Sequence, residues 1–253
     1  MSSFLSRRRL LAAGITATGG AAALTVAARL AARYRLIPPD WRGIYGPGET
    51  LTYAAQRVLT SRHSLAREFT RAEISKVAQI SGDPPRRDTY RRLLATGFAG
   101  WRLSIDGLVA RPASFSLADL KSLPSRSQIT EHTCEEGWSF IAEWTGVPLS
   151  DLMRRVGVLP QANYVAFFPF DESWDSLDMA DVWHPQTLVV HTMNGQPLPI
   201  DHGAPVRLKV PRQLGYKSVK YLTRITVTDT LKNIGSGLGS ASPDFGYSWY
   251  AGI

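Results

Sequence analysis

The chain has 253 residues, of which 44% are hydrophobic, 10% aromatic and 20% charged, which excludes disorder, collagen and coiled coil and allows a sizeable core. Its single cysteine excludes a disulfide framework and any zinc or iron–sulfur site built from cysteines alone. The net charge of +8 is concentrated at one end: residues 1–42 hold Arg7, Arg8, Arg9, Arg29, Arg33, Arg35 and Arg42 against Asp40, and the rest of the chain totals only +2, so nucleic acid is not an indicated partner.

The N-terminus has the pattern of an export leader. Ser6-Arg7-Arg8-Arg9-Leu10-Leu11 gives a basic start, and an uncharged run rich in Ala, Gly and Thr follows from Leu10 to Ala28. The arginine pair with its flanks resembles a twin-arginine signal, the route that carries folded, cofactor-loaded proteins to the periplasm. The run is also close to the ~20 residues that span a bilayer, and Ala21–Ala23 is the only weak cleavage signal, so an uncleaved membrane anchor stays open. The expected organisation is a leader or anchor over 1–30, a linker rich in Arg, Pro and Gly over 31–50, and one domain over 51–253.

Residues 51–80 are polar with room for one or two short helices, and Ser81-Gly82-Asp83-Pro84-Pro85 breaks the chain. Trp101 to Ile105 alternates as a half-buried strand does, and Asp106-Gly107 offers a turn. Ser116-Leu117-Ala118-Asp119 predicts a capping box opening a helix to Leu123, and Ser150 predicts the cap of a helix over 151–156 that stops at Gly157. Buried strands are expected at Tyr164–Phe168 and Leu188–His191, with Asn194-Gly195 as a hairpin turn, and further strands at 206–210 and 219–229. Several strands with short scattered helices predict an α+β fold with mixed sheet.

Cys134 lies in Glu131-His132-Thr133-Cys134-Glu135-Glu136-Gly137-Trp138. Three readings are open. A small buried hydrophobe is the plainest, but the polar flanks are poor company for one. A nucleophile has His132 nearby, but two adjacent carboxylates raise a thiol pKa. A thiolate ligand suits a metal held chiefly by an organic dithiolene. The five histidines show no zinc spacing, and no Gly-rich dinucleotide motif follows a strand. Arg207, Lys209, Arg212, Lys217 and Lys220 crowd a segment that also holds Gly215 and Ser218, the mixture of cations and close backbone N–H groups that a phosphate-bearing ligand needs.

Six ordered segments carry a family pattern: Cys134-Glu135-Glu136-Gly137-Trp138-Ser139, Trp144-Thr145-Gly146-Val147-Pro148-Leu149, His184-Pro185-Gln186-Thr187-Leu188, Asn194-Gly195 with Pro197-Leu198-Pro199, His202-Gly203-Ala204-Pro205-Val206-Arg207, and Gly215-Tyr216-Lys217-Ser218-Val219-Lys220. Together they resemble the sulfite-oxidase-like molybdopterin oxidoreductases, in particular the exported branch of periplasmic methionine sulfoxide reductase catalytic subunits. The resemblance implies the sulfite-oxidase-type molybdopterin fold and one molybdenum per chain on a molybdopterin without a nucleotide. It makes Cys134 the metal's thiolate ligand. His202, Arg207, Ser218, Val219 and Lys220 would bind the pterin and its phosphate, with Arg212, Lys217 and Gly215 as neighbours. Ser64, Arg67 and Glu68 stand at the spacing of an upstream pterin-binding motif from which two of the three residues differ. Asp171 stands where sulfite oxidases place an Asp, and Pro169 where the sulfoxide reductase branch has Thr. The implied reaction is oxygen-atom transfer, with reduction of an S-oxide or N-oxide favoured over sulfite oxidation because Glu135, Glu136 and Glu143 follow the cysteine. A membrane cytochrome or quinone-linked protein would supply electrons. A cofactor-free binding module and a thiol hydrolase are the rivals.

Overall fold

The computed structural model describes residues 25–31, 36, 47–60, 63–170 and 173–253. The arginine pair and residues 1–24, most of the expected linker, and Asp171 lie outside the described residues. The first long helix, α1 (Pro47–Leu59), starts inside the segment expected to be linker, because Pro47 suits a first helical turn, and α2 (Asp88–Ala95) precedes the first strand. No described helix is long and apolar enough to cross a membrane.

Two five-stranded sheets make the body. In chain order the strands are β1 (Arg102–Gly107), β2 (Ala113–Ser116), β3 (Arg126–Thr133), β4 (Ser139–Pro148), β5 (Tyr164–Pro169), β6 (Asp175–Asp178), β7 (Leu188–Met193), β8 (Gln196–Pro197), β9 (Arg207–Lys209) and β10 (Leu222–Thr228). One sheet runs β2-β1-β10-β5-β6, and its β1–β10 pair is parallel, Ser104 opposite Arg224. The other runs β3-β4-β7-β8, with β9 also on β7. The remaining pairs are antiparallel, so the sheet is mixed as expected.

The main core draws on both sheets: Leu103 and Ile105 of β1, Val165 and Phe167 of β5, and Ile225 and Val227 of β10 join Val189 and Leu208. Helix α4 (Leu149–Val156) closes this core with Leu149, Leu152, Met153 and Val156. On the far face of β4, Phe140, Ala142 and Trp144 form a second cluster. Val147, on the opposite face of β4, joins the main core, and an extra residue of β7, His191, bulges between the Thr145–Thr192 and Gly146–Val190 pairs, so that Leu188, Val190 and Met193 all face the second cluster. Gly146 permits this because a Cβ there would lie 2.6 Å from the Val190 Cα.

The capping box forms as expected: Ser116 Oγ accepts from the Asp119 N–H at 3.0 Å and opens α3 (Leu117–Ser122). The Ser150 expectation is corrected. Helix α4 begins two residues earlier, behind Pro148, and Ser150 lies buried within it, accepting from Arg154. Gly157 ends it in the left-handed region as predicted. Asn194 and Gly195, with φ of 50° and 74°, make the β7–β8 hairpin turn. Trp249 and Tyr250 of the aromatic C-terminus pack against Tyr53 and Tyr164 in a third cluster, whereas Tyr247 is exposed.

Candidate active site

Cys134 follows β3 at the tip of the β3–β4 hairpin. Its N–H donates to the Trp138 carbonyl at 2.9 Å, its carbonyl accepts from Gly137 N–H at 3.2 Å, and Gly137 supplies the φ of 91° that the turn requires. The thiol lines a cleft of about 290 Å³ between the edges of the two sheets. Ser173, Trp174 and Asp175 form one wall, Ser81, Gly82 and Asp83 another, and Arg207 with the 215–221 segment forms the floor.

Buried Arg207 lies in the floor, and a second buried basic side chain, Lys209, packs against His132 outside the lining. Arg207 donates to the carbonyls of His202 at 3.0 Å and Ser218 at 2.9 Å, and its guanidinium sits 5.2 Å from the Trp144 ring. Burial pushes it down to about 10. Lys209 donates to the Glu131 carbonyl at 2.8 Å and lies 3.4 Å from His132 Nδ1. Burial, then the Arg207 charge, holds it well below the ordinary lysine value. Among the described residues neither cation makes an ion pair with a carboxylate. Burial and the same two cations keep the His132 imidazole neutral, its pKa well below the usual histidine value. Desolvated cations without a counter-ion suit an anionic ligand.

The segment that follows supplies close backbone. Gly215 opens a short 3-10 turn (Gly215–Lys217) packed on the end of β3, where a Cβ would come within 2.9 Å of His132 Nε2. Ser218 Oγ accepts from the Val210 N–H at 3.0 Å. Lys220 donates to the carbonyls of Ser81 at 2.6 Å and Asp201 at 2.9 Å, joining two walls. Burial, reinforced by Glu135, pushes the Cys134 thiol up to about 11. Its Sγ donates to Glu135 Oε2 at 3.5 Å. Of the three acids expected to bias the pocket, Glu135 lines the cleft, Glu136 accepts from the Trp138 indole, and Glu143 is paired with Arg71 at 2.6 Å.

The structure therefore brings together Cys134, Arg207, Ser218, Val219 and Lys220. His202 and Lys217 stand one layer behind. His202 holds Arg207 through its carbonyl, and its ring meets the Phe140 ring edge-on at 5.7 Å. Lys217 is buried against Asp175, a cleft residue absent from the sequence expectations. Arg212 is not brought to the cleft: it donates to the Thr60 carbonyl and faces Asp181 in a separate buried ion cluster. Nor are Ser64, Arg67 and Glu68. The Ser64 carbonyl contacts His184, Arg67 lies over the Phe69 ring, and Glu68 bridges Arg126 and Gln186 at the outer edge of β3. His132 and Trp174 line the cleft and Lys209 packs against His132; a chemical motif search does not reach these residues. The signal for Lys209 is its place in the basic run, and for His132 its two-residue distance from the cysteine.

Among the described residues no three His, Cys, Asp or Glu side chains converge into a protein-only metal site. A single thiolate over a cationic floor instead fits a metal carried by an anionic organic ligand. The oxidoreductase molybdopterin-binding domain family matches residues 93–233, more than half of the chain, and the chain belongs to that family. Its fold is the sulfite-oxidase type. It is similar to the sulfane dehydrogenase SoxCD of Paracoccus pantotrophus, with a TM-score of 0.50 and 28% identity over 52% of this chain and 39% of that one. It is 40% identical over 154 residues to the putative protein-methionine-sulfoxide reductase subunit YedZ1 of Azospira oryzae, covering 61% of this chain and 56% of the relative. It is 36% identical over 145 residues to the protein-methionine-sulfoxide reductase catalytic subunit MsrP of Ralstonia nicotianae, covering 51% and 44%. The chain spans about half the length of the curated relatives it matches.

Proposed function

We propose that this chain is an exported oxidoreductase that removes an oxygen atom from an S-oxide, most simply a sulfoxide, at a molybdenum held by Cys134 and a nucleotide-free molybdopterin, one metal per chain. The observation that carries the reading is the single thiol in a cleft floored by the buried Arg207, which has no carboxylate partner among the described residues. The sulfoxide reductase relatives support the substrate class.

The molybdenum cofactor supplies the oxygen exchange and the two-electron change. The chain's own residues place and shield it. Arg207, Lys220 and the backbone of Ser218 and Val219 would hold the phosphate end, with His202 and Lys217 supporting them from behind. Cys134 would give up its proton on ligation, and Glu135 Oε2 at 3.5 Å is placed to relay it to solvent and so return to its charged form. The negative charge of Glu135 beside the reacting position favours a neutral sulfoxide over anionic sulfite. The overall change is sulfoxide plus two electrons and two protons to sulfide plus water, with a membrane cytochrome or quinone-linked protein as the electron source. The twin-arginine leader supports export of the loaded, folded chain to the periplasm, membrane-anchored where the leader is retained.

The test is molybdenum and pterin content of protein from cells able to make the cofactor, beside Cys134→Ser, followed by turnover of sulfoxides and of sulfite with a dye as electron donor or acceptor. Near-stoichiometric molybdenum with sulfoxide turnover supports the reading. Turnover of sulfite alone selects the oxidase reading. Metal-free protein from cells with ample pterin supply returns Cys134 to the thiol-hydrolase or binding-module readings.

A further inference from the structure

Helix α1 is built inside out. From Gly48 onward its exposed residues are Gly48, Leu51, Thr52, Ala55, Val58 and Leu59, with Leu51 71%, Val58 63% and Leu59 82% exposed. Positions 51, 55, 58 and 59 repeat at the spacing of one helix face, and that face carries no charge. The charged and hydrogen-bonding side chains turn inward. Arg57 pairs with Asp178 at 2.5 Å and Asp181 at 2.9 Å, and the Tyr53 hydroxyl donates to Asp178. Glu49 and Gln56 accept from the backbone N–H groups of Trp249 and Gly252 at 3.0 Å each. These polar ties fix the rotation of the helix, so the aliphatic stripe cannot turn inward. An uncharged outward face on a fixed helix calls for a cover other than water.

The flanking sequence argues for what that cover is. The chain upstream of α1 reads, from residue 29 to 46, Arg29, Arg33, Arg35 and Arg42 among Tyr34, Trp41 and Tyr45 with the single acid Asp40. Arginines mixed with Tyr and Trp are the composition of a membrane–water boundary, with charge complementary to anionic headgroups. Before it comes the uncharged stretch Leu10–Ala28. We propose that the outward face of α1 is a lipid-interface surface. The helix lies flat on an anionic bilayer with Leu51, Val58 and Leu59 at the headgroup–acyl boundary. This placement is separate from any anchoring by the leader and does not rest on the proposed reaction.

The test places a nitroxide at Ala55→Cys in the full-length, cofactor-loaded chain and reads its accessibility to oxygen and to a neutral nickel chelate. Measurements are made in buffer and on vesicles of phosphatidylethanolamine and phosphatidylglycerol. Cys134 is buried, which directs the label to position 55. The expected result is a several-fold loss of nickel accessibility with a gain in oxygen accessibility on vesicles only. Leu51→Ser with Leu59→Ser in the same labelled chain should abolish it. A label equally open to nickel in both conditions overturns the proposal, even where the leader binds the vesicles. A label already shielded in buffer also overturns it, because the cover is then protein: a second copy or another part of this chain.

Discussion

Replacing Arg207 by methionine separates the two consequences of a buried cation with no carboxylate. Burial lowers the guanidinium to about 10 from an ordinary 12.5, which corresponds to about 3 kcal/mol against the charged form. The two bonds to the His202 and Ser218 carbonyls act in the opposite direction, on the order of 3 kcal/mol together. The cofactor-free protein should therefore change in stability by less than about 2 kcal/mol, well short of the ~3–5 kcal/mol lost when a buried ion pair is broken. Cofactor retention should respond very differently. Losing one charge-assisted contact to an anion weakens binding roughly 10- to 100-fold. Urea unfolding of protein made without cofactor gives the first quantity. Molybdenum and pterin per chain after dialysis of loaded protein give the second. A variant that keeps its molybdenum, or one whose cofactor-free form loses more than about 4 kcal/mol, refutes the assignment of Arg207 to an anion site.

Three further outcomes follow from the geometry. Arg57→Met leaves Asp178 and Asp181 buried without their cation, so urea unfolding should show a loss of about 3–5 kcal/mol that Arg57→Lys partly restores; a loss under ~1 kcal/mol contradicts it. Burial, helped by Arg212, holds His184 down to about 4. The unfolded chain takes up that proton near pH 6.5, so the stability is complete above that pH and is lost as pH falls toward 4, on the order of 3 kcal/mol. His184→Gln should flatten the fall in urea midpoint between pH 7 and 4.5, and an unchanged slope counts against it. In cofactor-free protein the Cys134 thiol, pushed up to about 11 by burial and Glu135, should alkylate slowly at pH 8, with a rate that climbs toward that pH. Glu135→Gln should move the profile lower, and a fast, pH-flat reaction would restore the nucleophile reading.

The elements legible in the sequence are those whose faces obey a simple hydrophobic period. β1 and β10 alternate, β5 and β7 are continuous apolar runs, and the Ser116 box and Asn194-Gly195 turn are local chemistry. β3 escaped because its inward face is Gln128, Thr130 and His132, all buried and all polar. β6 gives no strand signal, because Asp175 and Asp178 are buried through long-range pairing with Lys217 and Arg57. Cys134, Arg207 and residues 218–220, singled out by the family resemblance, do line one cleft. The positions of Arg212, Ser64 and Glu68 were not legible, because partners distant in the chain decide them, Thr60 and Asp181 for Arg212, His184 for Ser64, and Gln186 and Arg126 for Glu68, while Arg67 is held locally over Phe69.

The parallel pairing of β1 with β10 also bears on the order of events in the cell. Ser104 and Gly107 find their neighbours only at Arg224 and Val227, about 120 residues later in synthesis, at a typical pace of ~5–20 residues per second. Until that last strand emerges, the first sheet lacks its middle, and the 215–221 floor of the cleft, made just before it, has only β3 and Asp175 to pack on. A nascent chain thus has no place to receive a bulky prosthetic group. Loading becomes a step that only a finished polypeptide can undergo, and whatever machinery delivers the group meets a folded protein and not an emerging one.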